Sequence, residues 1–458
     1  MNKQYTRENR LKQKEMQHRL EQRRMLHLRI FIGVIAGLVV LAIIILISVT
    51  IRNHRKTVRD AELTESASDI EYADSTLGET ETVPSSSDSD ETVEETPSPT
   101  PTSAPTPTPE ETEDHSYTIT LKAVGDNLYH WSISYLGDHG DGTYNYDWVY
   151  DNIRGEIENA TFAIVNQEVP MGGAELGYQT YPNFNVVYEV ADALVNAGFD
   201  CFTLATNHAL DQERTGVDNE LAYMKANHPQ ILLTGVYASQ EERDTIPIFE
   251  YDGFRFAILN YTYSTNGHSS SDTYLVNMLD RDLMAKDIQA AREQADFVIV
   301  CPHWGTEGSM ELDSTQIELT QFFAEQGVDL VIGNHPHVVQ EWTCVTNSLG
   351  NPMYVYYSLG NFVSLQNYTE RMLGGIADIT LRLDPDDHTI SYEDTALDFC
   401  VTYFTYDPDI PAYHDVSIYP WENFTYDLAN SHGISYFDSS FSYERLQELV
   451  SQYREMVK

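Results

Sequence analysis

An α/β fold is predicted for the large folded part of this chain, which begins near Tyr117. Apolar runs typical of buried strands, such as TFAIV from residue 161 and ADFVIV at 295–300, alternate with stretches of helical pattern. In the later half, adjacent strand-like runs indicate hairpins, and IPIFEYDGFRFAILNY is expected to turn at Asp252 and Gly253. Strands that alternate with helices and are joined by hairpins are typical of a layered α/β domain.

The amino-terminal elements come before this domain. Residues 1–29 are strongly basic, and residues 30–51 form an apolar run of 22 residues without a charge. A helix of that length spans the apolar core of a bilayer, about 30 Å thick, at ~1.5 Å per residue. The run is too long for a typical signal peptide, and no cleavage motif follows it. We therefore expect a single transmembrane signal-anchor.

The flanks of this run predict its orientation. Nine basic residues precede the run and four follow it, which favours a cytoplasmic amino terminus. The cytoplasmic membrane is then a partner, and the bulk of the chain is extracellular. Residues 52–115 are rich in Ser, Thr, Glu, Asp and then Pro, with almost no large apolar side chains. Such a composition predicts a disordered linker.

The folded part divides, on the sequence pattern, into a main domain at 116–385 and a carboxyl-terminal extension at 386–458 packed on it. The extension is less regular and rich in tyrosine. Helix ends are marked by residues such as Gly198. Strand-like runs begin near residues 117, 161, 201, 231, 248, 295, 328, 353 and 374, and helical patterns cover about 145–158, 186–198, 215–227, 282–294, 314–327 and 442–457.

The charge balance excludes one class of partner. The chain has 27 Lys and Arg against 71 Asp and Glu, and residues 60–458 hold only 14 of the basic groups but 68 of the acidic ones. A surface this acidic repels the phosphates of nucleic acid, so nucleic acid is excluded as a partner. The same composition also keeps an extracellular domain soluble without any partner. The four cysteines are widely spaced and form no zinc-binding pattern.

Five apolar runs share one feature, a side chain able to bind a metal near the point where each run ends. In an open α/β sheet the carboxyl ends of the strands lie at one edge, so these distant residues can meet. Carboxylates, an amide oxygen and imidazoles together suit Mn²⁺, Fe²⁺ or Zn²⁺ better than Ca²⁺. We predict a site for one or two divalent transition-metal ions. The candidate residues are Asp126, Glu168, Asn207 with His208, His303, and His335 with His337.

The motifs that carry these residues occur in the order GD, NxE, NH-x-x-D, HWG-x-E, GNHPH and SLGNF. In this order they resemble the CapA family, the capsule and poly-γ-glutamate synthesis proteins, over about residues 118–385. The resemblance implies a relation to the calcineurin-like metallophosphoesterases. It also implies a four-layer α/β/β/α sandwich with the site at one sheet edge.

The resemblance further implies roles for individual residues. His208 would be the catalytic proton donor, and Glu307 would act with His303 as its acidic partner. A plain structural role is the alternative for His130 and Asp211, and a place in the core is the alternative for Trp304. The implied metal ligands are Asp126, Glu168, Asn207, His303, His335 and His337, and the implied pocket or supporting residues are His130, Asp211, Trp304, Asn334, Gly360 and Asn361.

Three departures from the related motifs bear on the number of metal ions. Metallophosphoesterases usually begin with D-x-H, and Leu128 occupies the position of that histidine. NxE replaces a usual G-D pair, and Asn334 stands where the family has another histidine. The sequence therefore leaves open whether one ion binds or two.

Two functions follow from this resemblance, and a third is less compatible with it. The first is a membrane-anchored, extracytoplasmic protein of capsule or poly-γ-glutamate-type polymer biosynthesis, with a metal-dependent, phosphoesterase-like hydrolase site. Its partners would include an anionic surface polymer and other polymer-synthesis subunits. The alternative is a non-catalytic assembly or scaffold subunit with a structural metal site. A secreted phosphatase that scavenges phosphate would fit the fold but not the absent D-x-H histidine.

Overall fold

The structure is a computed structural model, and it describes residues 114–409 and 412–455. The predicted basic segment, the transmembrane segment and nearly all of the predicted linker lie outside these residues. Across the described ranges, no helix is both long and apolar enough to cross a membrane.

Strands and helices alternate along the first two thirds of the described chain, as the sequence predicts. In chain order they are β1 (Tyr117–Asn127), α1 (Trp131–Leu136), α2 (Asp147–Tyr150), α3 (Arg154–Glu158), β2 (Phe162–Gln167), α4 (Glu189–Asn196), β3 (Cys201–Thr203), α5 (Glu213–Asn227), β4 (Leu232–Thr234), α6 (Gln240–Arg243), β5 (Ile248–Tyr251), β6 (Phe254–Thr262), α7 (Arg281–Arg292), β7 (Phe297–His303), α8 (Ser314–Glu325), β8 (Leu330–Ile332), β9 (Trp342–Thr346), β10 (Pro352–Tyr356), β11 (Asn361–Val363), β12 (Leu373–Asp384), β13 (Thr389–Asp407), β14 (Ala412–Pro420), α9 (Tyr426–Ser431) and α10 (Tyr443–Arg454).

These strands form two mixed sheets. The first has the order β14-β13-β12-β1-β2-β3-β4, with β11 also paired to β1, and the second has the order β5-β6-β7-β8-β10-β9. Strands β1 to β4 are parallel to one another, and so are β6, β7, β8 and β10. The carboxyl ends of parallel strands therefore share one edge in each sheet.

The alternation of side chains along β6 shows what lies on each face of the second sheet. Phe256 and Ile258 belong to the core that contains the residues of the first sheet, whereas Ala257 and Leu259 belong to a second core with residues of α7 and α8. Successive strand residues point to opposite faces, so this sheet has the first sheet on one side and helices on the other. The predicted α/β class is confirmed.

The hairpin predicted at Asp252 and Gly253 is also confirmed. Strands β5 and β6 pair antiparallel across these two residues. Asp252 has φ 47° and Gly253 has φ 87°. Two-residue hairpin turns of this kind require positive φ, which aspartate and glycine tolerate best.

The carboxyl-terminal part is more regular than its sequence indicates. Strand β13 pairs with β12 from Leu373 opposite Val401 to Asp384 opposite Thr389, and β14 pairs with β13. Both strands lie within the first sheet, so Thr389–Asp407 and Ala412–Pro420 extend that sheet. The cause is visible in DFCVTYFTY, where β-branched and aromatic residues favour a long strand.

A close backbone contact positions the end of β1. A Cβ atom on Gly125 would lie 1.9 Å from the carbonyl oxygen of Gly360. The next residue, Asp126, donates its backbone N–H to that same oxygen at 2.8 Å. Only glycine allows the two segments to approach so closely, and this contact fixes the position of the backbone at Asp126.

Replacing Gly125 by Ala is expected to lower the free energy of unfolding by about 1–3 kcal/mol, because the added methyl group must displace backbone. The measurement is urea unfolding of the full-length protein. The control is Gly155→Ala in α3, where a Cβ would meet nothing within 4 Å. That change should stabilise the protein by about 0.5–1 kcal/mol, because alanine favours helix more than glycine. Equal effects of the two substitutions would contradict the close contact.

Candidate metal centre

The predicted ligands lie where their strands end. Asp126 is the penultimate residue of β1, Glu168 follows β2, and His303 is the last residue of β7. The segment with His335 and His337 follows β8, and Asn207 with His208 follows β3. All of these side chains are buried: Asp126, Glu168, Asn207, His208, His303, His335 and His337.

Three of them form a compact group. Asp126, Glu168 and His337 can each offer a ligand atom, and these atoms lie within 4.8 Å of one another. Nδ1 of His337 donates to Oδ2 of Asp126 at 2.9 Å, because a carboxylate can only accept. The other ring nitrogen, Nε2, then carries a lone pair and lies 3.6 Å from Oε1 of Glu168. Two electron-rich atoms facing each other at this distance are suited to share a cation.

Glu168 has an unusual environment for a carboxylate. Both of its oxygens are buried and neither has a hydrogen-bond partner. Burial raises its pKa well above the usual range, and the nearby carboxylate of Asp126 raises it further. A buried carboxylate without partners is costly, so such groups are paired with a cation, coordinate a metal or are protonated.

His303 lies beside this group with two amide partners. Its Nε2 is 3.9 Å from Oε1 of Glu168, and it donates to Oδ1 of Asn207 at 2.8 Å. Asn166 lies against the other side of the ring, with its Nδ2 at 3.5 Å from Nδ1 of His303. Burial lowers the pKa of His303 well below its usual value, and His335 adds to the shift. The neutral imidazole is the form that binds metals.

The segment that carries His335 and His337 is strained. His335 has φ 102° and His337 has φ 59°, values that non-glycine residues rarely adopt. Such conformations cost about 1–3 kcal/mol each and cluster at functional sites. Nδ1 of His335 is buried without a partner, and its ring centroid is 4.9 Å from that of His303. Burial lowers the pKa of His335 to about 3.

His208 forms a pair with Asp211 rather than joining the carboxylates. Its Nδ1 donates to Oδ2 of Asp211 at 2.7 Å, and Oδ2 also accepts the backbone N–H of Phe184 at 2.6 Å. The remaining oxygen of Asp211 is buried without a partner. A carboxylate that fixes the Nδ1 proton leaves Nε2 to exchange a proton with a substrate.

The donor set fits a divalent transition metal. Two buried carboxylates and neutral imidazoles supply the oxygen and nitrogen ligands that such ions prefer. The unpartnered oxygens of Glu168 and the unpartnered Nδ1 of His335 are free to bind. Asp126 also accepts from Asn166 at 2.8 Å, which holds the carboxylate in place. Of the predicted ligands, Asp126, Glu168 and His337 form this group. His303 and His335 are not part of it, and the side-chain oxygen of Asn207 accepts from His303 instead.

Four other residues predicted to line or support the pocket make defined contacts: His130, Asn334, Asn361 and Gly360. Nδ1 of His130 accepts the backbone N–H of Leu365 at 3.3 Å, and burial lowers the pKa of His130 to about 4. Asn334 contributes its backbone oxygen to Trp304 at 3.0 Å. Asn361 pairs in register with Asp126, and Gly360 makes the close contact with Gly125 described above.

Trp304 and Glu307 do not reach the centre. Trp304 is fully buried in the core beneath α7 and α8, and its indole N–H donates to the carbonyl of Tyr357 at 2.8 Å. Trp304 is therefore a core residue, which was the alternative given for it in the sequence analysis. Glu307 is exposed and accepts from Nη1 of Arg371 at 3.0 Å. Its partner is therefore an arginine, and no contact joins it to His303.

In the sequence analysis, three residues were assigned no role, although one of them, Asn166, is the asparagine of the NxE motif. Asn166 holds Asp126, and Asn266 lies 3.3 Å from Nδ1 of His208. Arg371 pairs with Glu307. Only Asn166 left a usable signal, because residues two apart on a strand share a face and Glu168 was already a candidate.

The sequence matches a known family model. A model described as "Bacterial capsule synthesis protein PGA_cap" matches residues 120–366. This range contains every candidate ligand, from Asp126 to His337, and ends before Arg371.

Two curated relatives are similar to the same part of the chain. The capsule biosynthesis protein CapA of Bacillus anthracis is 24% identical over 277 residues, which cover 58% of this chain and 64% of that protein. The PGA biosynthesis protein CapA of Bacillus subtilis (strain 168) is 28% identical over 183 residues, which cover 40% of this chain and 47% of that protein. The chain thus matches less than two thirds of the length of either relative.

Among solved structures, a phosphatase from Mycoplasma pneumoniae is similar with a TM-score of 0.39 and 15% sequence identity. The alignment covers 62% of this chain and 94% of that one.

Proposed function

This chain belongs to the bacterial capsule synthesis protein family, and on that premise we propose that it acts in the biosynthesis of a capsule or poly-γ-glutamate-type surface polymer. The proposal includes a metallophosphoesterase-like sandwich whose buried centre holds a divalent metal and performs hydrolysis. The observation that carries it is the Glu168 carboxylate, buried without a hydrogen bond and facing the lone pair on Nε2 of His337.

Each residue of the centre has a role in this proposal. Glu168, Asp126 and His337 would hold the ion, with His335 as a further imidazole ligand. His303 would become a ligand only in the tautomer that does not donate from Nε2 to Asn207. The bound ion would supply a Lewis acid and a water of lowered pKa. Asp126 fixes the tautomer of His337 by accepting from Nδ1, so Nε2 is the ligating nitrogen.

Proton transfer falls to the pair of His208 and Asp211. Asp211 accepts from Nδ1 of His208 at 2.7 Å and would stabilise the protonated ring. Nε2 would then donate a proton to the oxygen or nitrogen that leaves the substrate. Because the centre is buried, bulk water is excluded from around its charged side chains.

We further propose a location outside the cytoplasmic membrane. The support is the uncharged apolar run at 30–51 with its nine basic residues before and four after. An acidic chain outside the cell can handle an anionic polymer when a cation mediates the contact. Other polymer-synthesis subunits are proposed partners.

The test uses cells whose own copy of the gene is deleted and replaced by variants. Asp126→Ala should lower surface polymer per cell by about 10- to 100-fold, the usual effect of disturbing a metal site. The control is Asp394→Ala, which changes an exposed carboxylate in β13. In the same cells, protease added to intact protoplasts should remove the domain. Normal polymer with Asp126→Ala, or a protected domain, would contradict the proposal.

A further inference from the structure

Arg371 is held by contacts with Glu307, Tyr368 and Asn361, and the last of these links it to the strand end that carries Asp126. Its side chain is 15% exposed, and its Nη1 donates to Oε1 of Glu307 at 3.0 Å. The guanidinium also lies over the ring of Tyr368, 5.2 Å from the ring centroid. Its backbone oxygen accepts from Nδ2 of Asn361 at 3.1 Å. Asn361 is the register partner of Asp126, so the arginine is tied to the strand end that carries a ligand.

The loop with Glu307 is tied to the same centre from the other side. Gly308 donates its backbone N–H to the oxygen of Pro336 at 2.8 Å, and Pro336 lies between His335 and His337. A Cβ on Gly308 would be 2.8 Å from Nη2 of Arg371. The guanidinium therefore lies against the loop that is bonded to the histidine segment.

The acidic groups of the centre and of the whole chain give a positively charged side chain at this place a possible role in binding anions. Two of the buried groups of the centre, Asp126 and Glu168, are carboxylates. The chain as a whole has a net charge of −44. A fixed positive charge beside the centre would help to attract a negatively charged substrate to a chain that is acidic as a whole.

In the ion pair between Arg371 and Glu307, the carboxylate of Glu307 can be replaced by another anion. The side chain of Glu307 is 53% exposed, and a pair with one partner so exposed adds little stability. A guanidinium binds carboxylate and phosphate oxygens through a planar fork of N–H groups. An oxyanion arriving from solvent can therefore take the place of the Glu307 carboxylate without any change in the buried core.

We propose that Arg371 is the anion-binding residue of this site and that Glu307 occupies its guanidinium until a substrate oxyanion replaces it. The inference rests on the proposed function and adds a substrate class to it: molecules that carry a carboxylate or a phosphate next to the bond that is broken. Arg371 binds substrate in this account, and Glu307 acts through Arg371 as a positioning residue.

The test measures the binding of inorganic phosphate and of glutarate to the full-length protein by calorimetry, with metal content determined on the same samples. Arg371→Gln should weaken the binding of the preferred anion by about 10- to 100-fold, the contribution of a charged hydrogen bond. Glu307→Gln should tighten it by about two- to fivefold, because a surface competitor is removed. The preference for phosphate or glutarate identifies which oxyanion the site takes.

The control is Arg281→Gln, which breaks an exposed pair with Glu318 at 3.5 Å and should leave anion binding unchanged. Effects of opposite sign at Arg371 and Glu307 support the proposal, since a purely structural pair would weaken binding from either side. Wild-type protein that binds neither anion, or equal weakening by both substitutions, would overturn it. Metal content separates the two claims: metal-loaded protein indifferent to Arg371→Gln refutes only the anion site, and metal-free protein that binds anions through Arg371 refutes only the metal centre.

Discussion

Replacing His208 by Gln is expected to leave the fold and the metal content intact and to lower the rate of hydrolysis by about 10²- to 10⁴-fold, the usual contribution of general acid–base catalysis. The physical reason is the contact with Asp211, which accepts from Nδ1 at 2.7 Å and leaves Nε2 for the substrate. Glutamine can keep a hydrogen bond to Asp211 but has no proton that it can give up. The measurements are the rate on a chromogenic phosphodiester and surface polymer per cell at matched protein levels.

The matched control is His228→Gln. His228 forms a similar pair with Asp192, Nε2 to Oδ1 at 2.6 Å, at the far end of α5. Its replacement should change neither the rate nor the polymer. A normal amount of surface polymer with His208→Gln, together with a reduced amount with Asp126→Ala, would contradict the proposed hydrolase. It would favour a scaffold subunit with a structural metal.

Replacing Glu168 by Gln is expected to change stability in opposite directions with and without metal. In the metal-free protein the change removes a buried carboxylate that has no hydrogen-bond partner, so the free energy of unfolding should rise. Metal should then no longer stabilise the variant. For the wild type, the stabilisation is about 4 kcal/mol at a metal concentration of about a thousand times Kd. Denaturant unfolding of both forms, with and without chelator, is the measurement.

The pH dependence of the metal-free protein follows from the same carboxyl group. Burial raises the pKa of Glu168 in the folded state, so the folded protein binds this proton more tightly than the unfolded chain. Stability should therefore fall as pH rises above the usual pKa of glutamate, about 4.3. In Glu168→Gln this part of the fall should be absent. The same slope in both proteins would contradict the raised pKa.

Glu220→Gln in α5 is the control for Glu168→Gln. Glu220 is also buried, it accepts the backbone N–H of Met171 at 3.2 Å, and burial raises its pKa to about 8. Its replacement should also relieve the cost of a buried carboxyl group. It should not alter the stabilisation by metal, because Glu220 lies outside the centre.

The strand ends of the centre could be predicted because the periodicity of the sequence fixes where a buried strand stops. Asp126, Glu168 and His303 lie within three residues of the ends of apolar runs, and parallel strands bring their ends to one edge. The alternation of side chains along a strand also predicts the position of Trp304. Trp304 follows His303 immediately, so it points to the opposite face, where α7 and α8 cover it.

The partner of Glu307 could not be predicted in this way. Arg371 is 64 positions further along the chain, in a short 3-10 helix (Thr369–Met372) after the SLGNF motif. Contacts between loops depend on the path of each loop, which no periodicity in the sequence records. The long strand β13 was missed for a different reason, because exposed charges among its first residues hide the pairing with β12.

The number of metal ions bound per chain is the most direct evidence for or against a metal at Glu168. It should be measured by elemental analysis of the full-length protein after exposure to Mn²⁺, Fe²⁺ or Zn²⁺ and removal of the excess. We expect about one or two ions per chain in the wild type and in Glu220→Gln, and a clear loss in Glu168→Gln. Wild-type protein without metal, or equal metal in all three proteins, would contradict the assignment of the buried carboxylate and imidazole cluster as a metal centre.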